Sequence, residues 1–119
     1  LGVKMRLATP VFGHAGDGNY HIHFMYDSSD STARDRAVDG MHAAAEETVR
    51  LGGAISGEHG IGFLKAEYMQ VQHGASELAL MKRLKSTFDP NGILNSGKIY
   101  SVRETRSLHP LKGIKLPWD

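Results

Sequence analysis

The segment that most restricts this chain is a glycine-rich reversal followed by a strict alternation. Gly13-His14-Ala15-Gly16-Asp17-Gly18-Asn19 is dense in turn formers. Directly after it, Tyr20, Ile22, Phe24 and Tyr26 alternate with His21, His23 and Met25, the period of two that marks an extended strand. With Asp17-Gly18 read as the two-residue loop of a type I′ hairpin, His14 lies directly opposite His21, their Cβ atoms roughly 4.5–5.5 Å apart. His23, two positions on, points the same way. The expected hairpin therefore carries three imidazoles on one face and an apolar face that covers a helix on the other.

Beyond the hairpin the periodicity changes. Residues 27–30 are polar and offer helix caps, after which Ala33, Ala37, Met41, Ala44, Ala45 and Thr48 recur at helical spacing, so a helix is expected over 32–51 and stops at Gly52-Gly53. A short strand is expected over 54–56, leading into Gly57-Glu58-His59-Gly60-Ile61-Gly62. A helix is expected over 63–71, and a stronger one over 75–88 with Leu78, Met81, Leu84 and Phe88 as its apolar face. Asp89-Pro90-Asn91-Gly92 ends it. Residues 101–119, with Pro110 and Pro117, read as an irregular tail, and Trp118 is expected to pack on protein outside this chain. The expected fold class is α+β: an antiparallel sheet with helices packed on one face, a ferredoxin-like cap portion, followed by a helical C-terminal segment.

Composition excludes several roles. The 119 residues suit one compact domain, and 40% hydrophobic with 23% charged residues is an ordinary globular balance. A net charge of +1, with only a mildly basic stretch over 98–115, argues against a nucleic-acid binder. No apolar run approaches the roughly 18 residues of a membrane span. The absence of Cys removes thiolate ligands and nucleophiles and makes a cytoplasmic location the expectation. The chain opens on Leu1, which suggests a piece of a longer protein.

Two imidazoles alone bind a divalent ion weakly, and a third ligand, preferably a carboxylate, is needed. Neighbouring side chains on extended backbone point oppositely, so Glu58 is placed to complete a site with His14 and His21 while His59 reaches a substrate. The plainer reading is a strand that is polar on one side and a solvated charged loop; the flanking glycines, which allow unusual backbone angles or close approach, count against it.

Three segments together resemble the C-terminal domain of the FAD-linked oxidases of the vanillyl-alcohol-oxidase type, in the branch of D-lactate dehydrogenases, D-2-hydroxyglutarate dehydrogenases and the glycolate oxidase flavin subunit. They are residues 13–21, Ser56-Gly57-Glu58-His59-Gly60-Ile61-Gly62, and the run from Phe88 to Lys98. The likeness covers about residues 11–100. It implies that His14, His21 and Glu58 bind a divalent metal (Zn, Mn or Fe), and that His59 contacts substrate and serves as the general base. His23 stands where the 2-hydroxyglutarate enzymes have a substrate-contacting Asn, which leaves the substrate open. Asn95 and Lys98 match a motif near the flavin, although Ser96 replaces its usual Pro.

On this resemblance, residues 1–100 are the catalytic or cap portion of an enzyme oxidising a small D-2-hydroxy acid to the 2-oxo acid. FAD is bound mainly by a domain outside this chain, a partner of about 200 further residues. Substrate-selecting Arg or Lys residues are expected upstream, and the piece alone is expected to be inactive. The electron acceptor is open, and both a homo-oligomer and peripheral attachment of the whole protein to a membrane are compatible with this reading. No Gly-x-Gly-x-x-Gly follows a strand, so Rossmann-type nicotinamide binding has no support. The rivals are a stand-alone metal-binding or interaction module and a scaffold whose site has decayed. His42, His73 and His109 lie outside the motifs and receive no role, with surface or helix-face positions expected.

Overall fold

A computed structural model of the chain describes residues 1–100; the expected tail over 101–119, with His109 and Trp118, lies outside the described residues. The order is α1 (Gly2–Met5), β1 (Val11–His14), a 3-10 turn (Ala15–Asp17), β2 (Asn19–Ile22), α2 (Ala33–Arg50), a second 3-10 turn (Ala66–Tyr68), α3 (Met69–Gln72) and α4 (Ala75–Phe88). This is a mixed α+β fold. Its sheet, among the described residues, is the antiparallel pair β1–β2.

The hairpin differs from the expected one in its turn. Ala15–Asp17 winds one 3-10 turn, closed by Gly18 at φ 66 and its N–H to the Ala15 carbonyl. The loop thus takes four residues, and the register becomes Val11↔Ile22, Phe12↔His21, Gly13↔Tyr20 and His14↔Asn19. His21 therefore faces Phe12, where His14 was expected. The pairing continues outward with His23 N–H to the Pro10 carbonyl and the bridge Ala8↔Met25. Gly13 is obligatory: at φ 151, a Cβ there would stand 2.2 Å from the Asn19 carbonyl oxygen.

Helix α2 organises the core. Asp30 fixes its start, its carboxylate accepting from the Thr32 N–H, the Thr32 hydroxyl and the Arg36 guanidinium. Those donors, Arg36 foremost, hold its carboxyl well below the usual range. Arg36 also donates to the Met5 carbonyl, tying α1 to α2. Gly52 at φ 81 turns the chain out of the helix, and the Gly53 N–H returns to the Thr48 carbonyl. Ala33, Ala37, Val38, Gly40 and Ala45 are buried on α2, with Tyr68 and Met69 opposing them from the 66–69 region. The small residues let the hairpin come close: a Cβ on Gly40 would meet the Phe24 ring at 2.5 Å.

Two other expectations are corrected. Residues 54–56 form no strand, because the Ile55 N–H is taken by the Gln72 side chain instead of a neighbouring strand. Residues 63–71 are not one helix: Lys65 at φ −103, ψ 2 interrupts the helical path, leaving only the 3-10 turn and the single turn α3. Helix α4 matches its expected span, and the Gly74 N–H donates to Glu77 at its start. Yet α4 buries no residue, and Leu84 and Phe88 of its expected apolar face are 53% and 82% exposed. Past its end, buried Asp89 accepts from Lys85 and from the N–H groups of Ile93 and Leu94, which shapes the following turn and holds its carboxyl low, Lys85 contributing most.

Candidate metal and substrate site

The shift of register moves His14 and His21 from opposed to diagonal positions without separating them. A shift of two residues preserves the side of the sheet on which each side chain stands, and diagonal neighbours remain within reach of ring side chains. The two rings lie edge to face with centroids 6.1 Å apart. Phe12 joins the same face, its ring 5.3 Å from that of His21 and 4.9 Å from that of His23. The expected division into an aromatic and a histidine face is thus incomplete. His23 is exposed and packs on Phe12.

Glu58 reaches this face because the loop after α2 docks on the hairpin. Gly57 allows the approach, since a Cβ there would sit 2.4 Å from Asn19 Oδ1. The Ser56 hydroxyl donates to the Gly60 carbonyl at 2.9 Å, folding the backbone around Glu58 and His59. Glu58 Oε1 then lies 3.2 Å from His21 Nε2, 3.6 Å from His59 Nε2 and 3.8 Å from His14 Nε2. His59 stacks on His21, centroids 4.9 Å apart and planes 26° from parallel. His21 is the sheltered member, 18% exposed, while Glu58 is half exposed.

One ligand atom each from His14, His21 and Glu58 fall within 4.8 Å of one another. Two imidazole nitrogens and a carboxylate oxygen are a donor set used by catalytic zinc, where three protein ligands leave a position for water or substrate. The solvent-facing side of His14 and Glu58 leaves room for such a position. Beside the cluster, a cavity of about 590 Å³ opens between the hairpin and α2, lined by Tyr20, Ile22, Phe24, Met41 and Ala44 and also by Glu58, His59 and Lys65.

Asn95 and Lys98 stand elsewhere. Lys98 donates through its ammonium to Asn95 Oδ1 at 2.9 Å, and both border a separate pocket of about 300 Å³ with Lys82 and Lys85. This turn connects to the Glu58 loop through the Ile99 N–H, which donates to the Gly62 carbonyl at 2.7 Å.

A second histidine–carboxylate cluster was not read from the sequence. His42 on α2 meets Glu67 at 3.3 Å, with side-chain exposures of 14% and 12%, and its ring stands edge-on to Tyr68 at 4.9 Å. Burial pushes the Glu67 carboxyl up against the opposing pull of His42, and burial with the Glu67 charge pushes the Tyr68 phenol up. His73 faces Glu77 at 3.9 Å across the start of α4. Only the helical phase of His42, in register with Val38 and Ala45 on the buried side, hinted at the pair.

Comparison with known proteins gives the family of the chain. Residues 2–99 match the family described as FAD linked oxidases, C-terminal domain. The chain is 37% identical over 101 residues to the glycolate oxidase subunit GlcD of Bacillus subtilis (strain 168), covering 85% of this chain and 22% of that protein. It is 40% identical to a mitochondrial D-lactate dehydrogenase [cytochrome] of Arabidopsis thaliana over 78% of this chain and 16% of the relative. It is 39% identical to a D-2-hydroxyglutarate dehydrogenase of Stutzerimonas stutzeri (strain A1501) over 76% of this chain and 20% of the relative. The chain thus spans about a fifth of the length of these relatives.

Proposed function

The chain belongs to the FAD-linked oxidases through their C-terminal domain, and on that premise we propose that it supplies the metal and acid-base groups for oxidising a small D-2-hydroxy acid to the 2-oxo acid. The relatives' names, glycolate oxidase, D-lactate dehydrogenase and D-2-hydroxyglutarate dehydrogenase, support the substrate class. The observation that carries the reading is the convergence of His14, His21 and His59 on one Glu58 oxygen.

When bound, a divalent ion supplies Lewis acidity toward a hydroxyl oxygen, and FAD supplies a hydride acceptor. His14, His21 and Glu58 would hold the ion. His21, sheltered between Phe12 and His59, fixes the cluster's position, while the exposed side of His14 and Glu58 admits substrate. His59 takes up the hydroxyl proton at Nε2, imidazole being the side chain suited to that transfer near neutral pH. Its stacking on His21 restricts its orientation. His23 and Phe12 border the same face and contact the substrate's far end. Asn95 and Lys98 face the flavin side. The flavin is held by the rest of the protein, and the 119-residue chain alone is inactive.

The test uses the full-length protein containing this chain, with D-lactate, glycolate and D-2-hydroxyglutarate as substrates, a dye as acceptor, and metal analysis. Oxidation of at least one acid, lost in His59→Ala and in Glu58→Ala, supports the reading. An active protein that binds no Zn, Mn or Fe and is indifferent to His14→Ala removes the metal role, and no oxidation of any 2-hydroxy acid removes the substrate class.

A further inference from the structure

We propose that Lys65 forms a carboxylate-binding subsite in the cavity between the hairpin and α2, so that this chain itself contributes a residue that binds an acid group of the substrate. The proposal deepens the reading of the preceding subsection and rests on it for the identity of the substrate. Lys65 is half-buried and lines the cavity that Glu58 and His59 also line. Its hydrogen-bond partner is a neutral oxygen, Ser56 Oγ, at the long distance of 3.4 Å. Among the described residues no carboxylate pairs with it. Two lysines around the C-terminal turn do have side-chain partners, Lys85 in buried Asp89 and Lys98 in Asn95.

An ammonium carries three donors, and among the described residues one long bond to a hydroxyl is the partner Lys65 has beside the cavity it lines. The same cavity is lined by apolar side chains, among them Ile22, Phe24, Met41 and Ala44, and by the carboxylates Asp17 and Glu58, neither of which is paired with Lys65 among the described residues. Partial burial of a charge against such walls is unfavourable unless an opposite charge completes the site. A carboxylate satisfies that requirement by a charge-assisted hydrogen bond. The cavity, about 590 Å³, falls in the usual range for small-molecule sites. A three-carbon acid fills a small part of it, so the carboxylate is either the one beside the reacting hydroxyl or one at the far end of a longer acid. The Ser56 contact also connects this subsite to the loop that carries Glu58 and His59, because the same Ser56 hydroxyl donates to Gly60.

Titration of the full 119-residue chain, followed by backbone amide NMR, tests this with D-lactate and glutarate as probes. The wild-type chain should bind at least one of them, with shifts centred on residues 55–59 and 65. Lys65→Met, which keeps the aliphatic stem, should weaken binding about tenfold or more, equivalent to about 1.4 kcal/mol, and Lys65→Arg should stay within a few-fold. Loss of both probes assigns the carboxylate next to the hydroxyl; loss of glutarate alone assigns the distal one. Lys65→Gln is run in parallel, so that one misfolded variant does not remove the comparison. The proposal is overturned if the wild type binds neither probe at tens of millimolar, if Lys65→Met and Lys65→Gln bind as well as wild type, or if the shifts centre on Lys82 and Lys98. None of these readouts needs metal, flavin or turnover, so they fail separately from the oxidation assay.

Discussion

The molecule holds two clusters built from the same side chains in opposite surroundings. His14, His21, His59 and Glu58 gather on a face open to solvent, with three of the four side chains about half exposed or more. His42, Glu67 and Tyr68 meet beneath α2, with His42 and Glu67 nearly enclosed. The enclosed pair spans two elements, His42 on α2 and Glu67 on the 66–68 turn. The same two kinds of side chain are thus shut away from water in one place and open to it in the other. The comparison predicts that mutations in one cluster should leave the property of the other untouched.

The largest expected effect is Glu58→Ala. It should lower the affinity of the chain for Zn or Mn on the order of 100-fold, with a melting temperature within about 1 °C of wild type, as calorimetric titration and thermal melts would report. A comparable fall in stability would instead make the open cluster structural. Second is Glu67→Ala, which leaves His42 enclosed without its carboxylate and should cost about 2 kcal/mol in urea unfolding while metal affinity holds. If metal affinity falls with it, the two clusters are coupled.

Gly57→Ala follows. A methyl group 2.4 Å from Asn19 Oδ1 must displace the loop from the hairpin, and metal affinity should drop by roughly tenfold with less than about 1 kcal/mol lost in stability. Unchanged affinity would mean that docking of this loop does not position Glu58. The smallest effect is a pH dependence. Burial raises the Glu67 carboxyl above its ordinary 4.5, so the folded chain binds that proton more tightly than the unfolded chain. The stabilisation is full below pH 4.5 and is lost as pH rises through the folded value. Asp30 and Asp89, whose carboxyls are depressed, act with the opposite sign, their contribution being lost as pH falls. Comparing wild type with Glu67→Gln cancels those two, and the wild type should lose stability relative to the variant as pH rises from 4.5. A flat difference across that window would show that His42 fully offsets the burial of Glu67.

The open cluster was legible in the sequence and the enclosed one was not, for a physical reason. Alternation over residues 20–26 fixes which side chains share a face, and the glycines around Glu58 mark where another segment can approach. These are local patterns. His42 and Glu67 lie 25 positions apart with no spacing rule linking them, and only packing of α2 on the following turns brings them together. The same contrast holds for the elements: α2 and α4 lie within a residue of their expected bounds, because helical periodicity spans many residues. The strand expected over 54–56 and the helix over 63–71 failed because single contacts decided them, the Gln72 side chain at Ile55 and the backbone angles of Lys65. The turn of the hairpin misled because Ala15-Gly16-Asp17 can wind a helical turn as readily as extend a strand. Phe12 precedes the alternating run, so no local pattern gives it a face, and the observed register places it among the imidazoles.

The pairing of β1 with β2 carries a consequence for how such a hairpin can vary. Because pleated side chains alternate, sliding one strand by two positions returns every ring to its own half-space, whereas sliding by one sends each to the far side. Adding a single residue between Asn19 and His21 would therefore eject His21 from its neighbours, while lengthening the reversal at Ala15–Asp17 would leave both flanks in place. Natural variation in this hairpin should accumulate at the tip, and within the strands it should come in even steps.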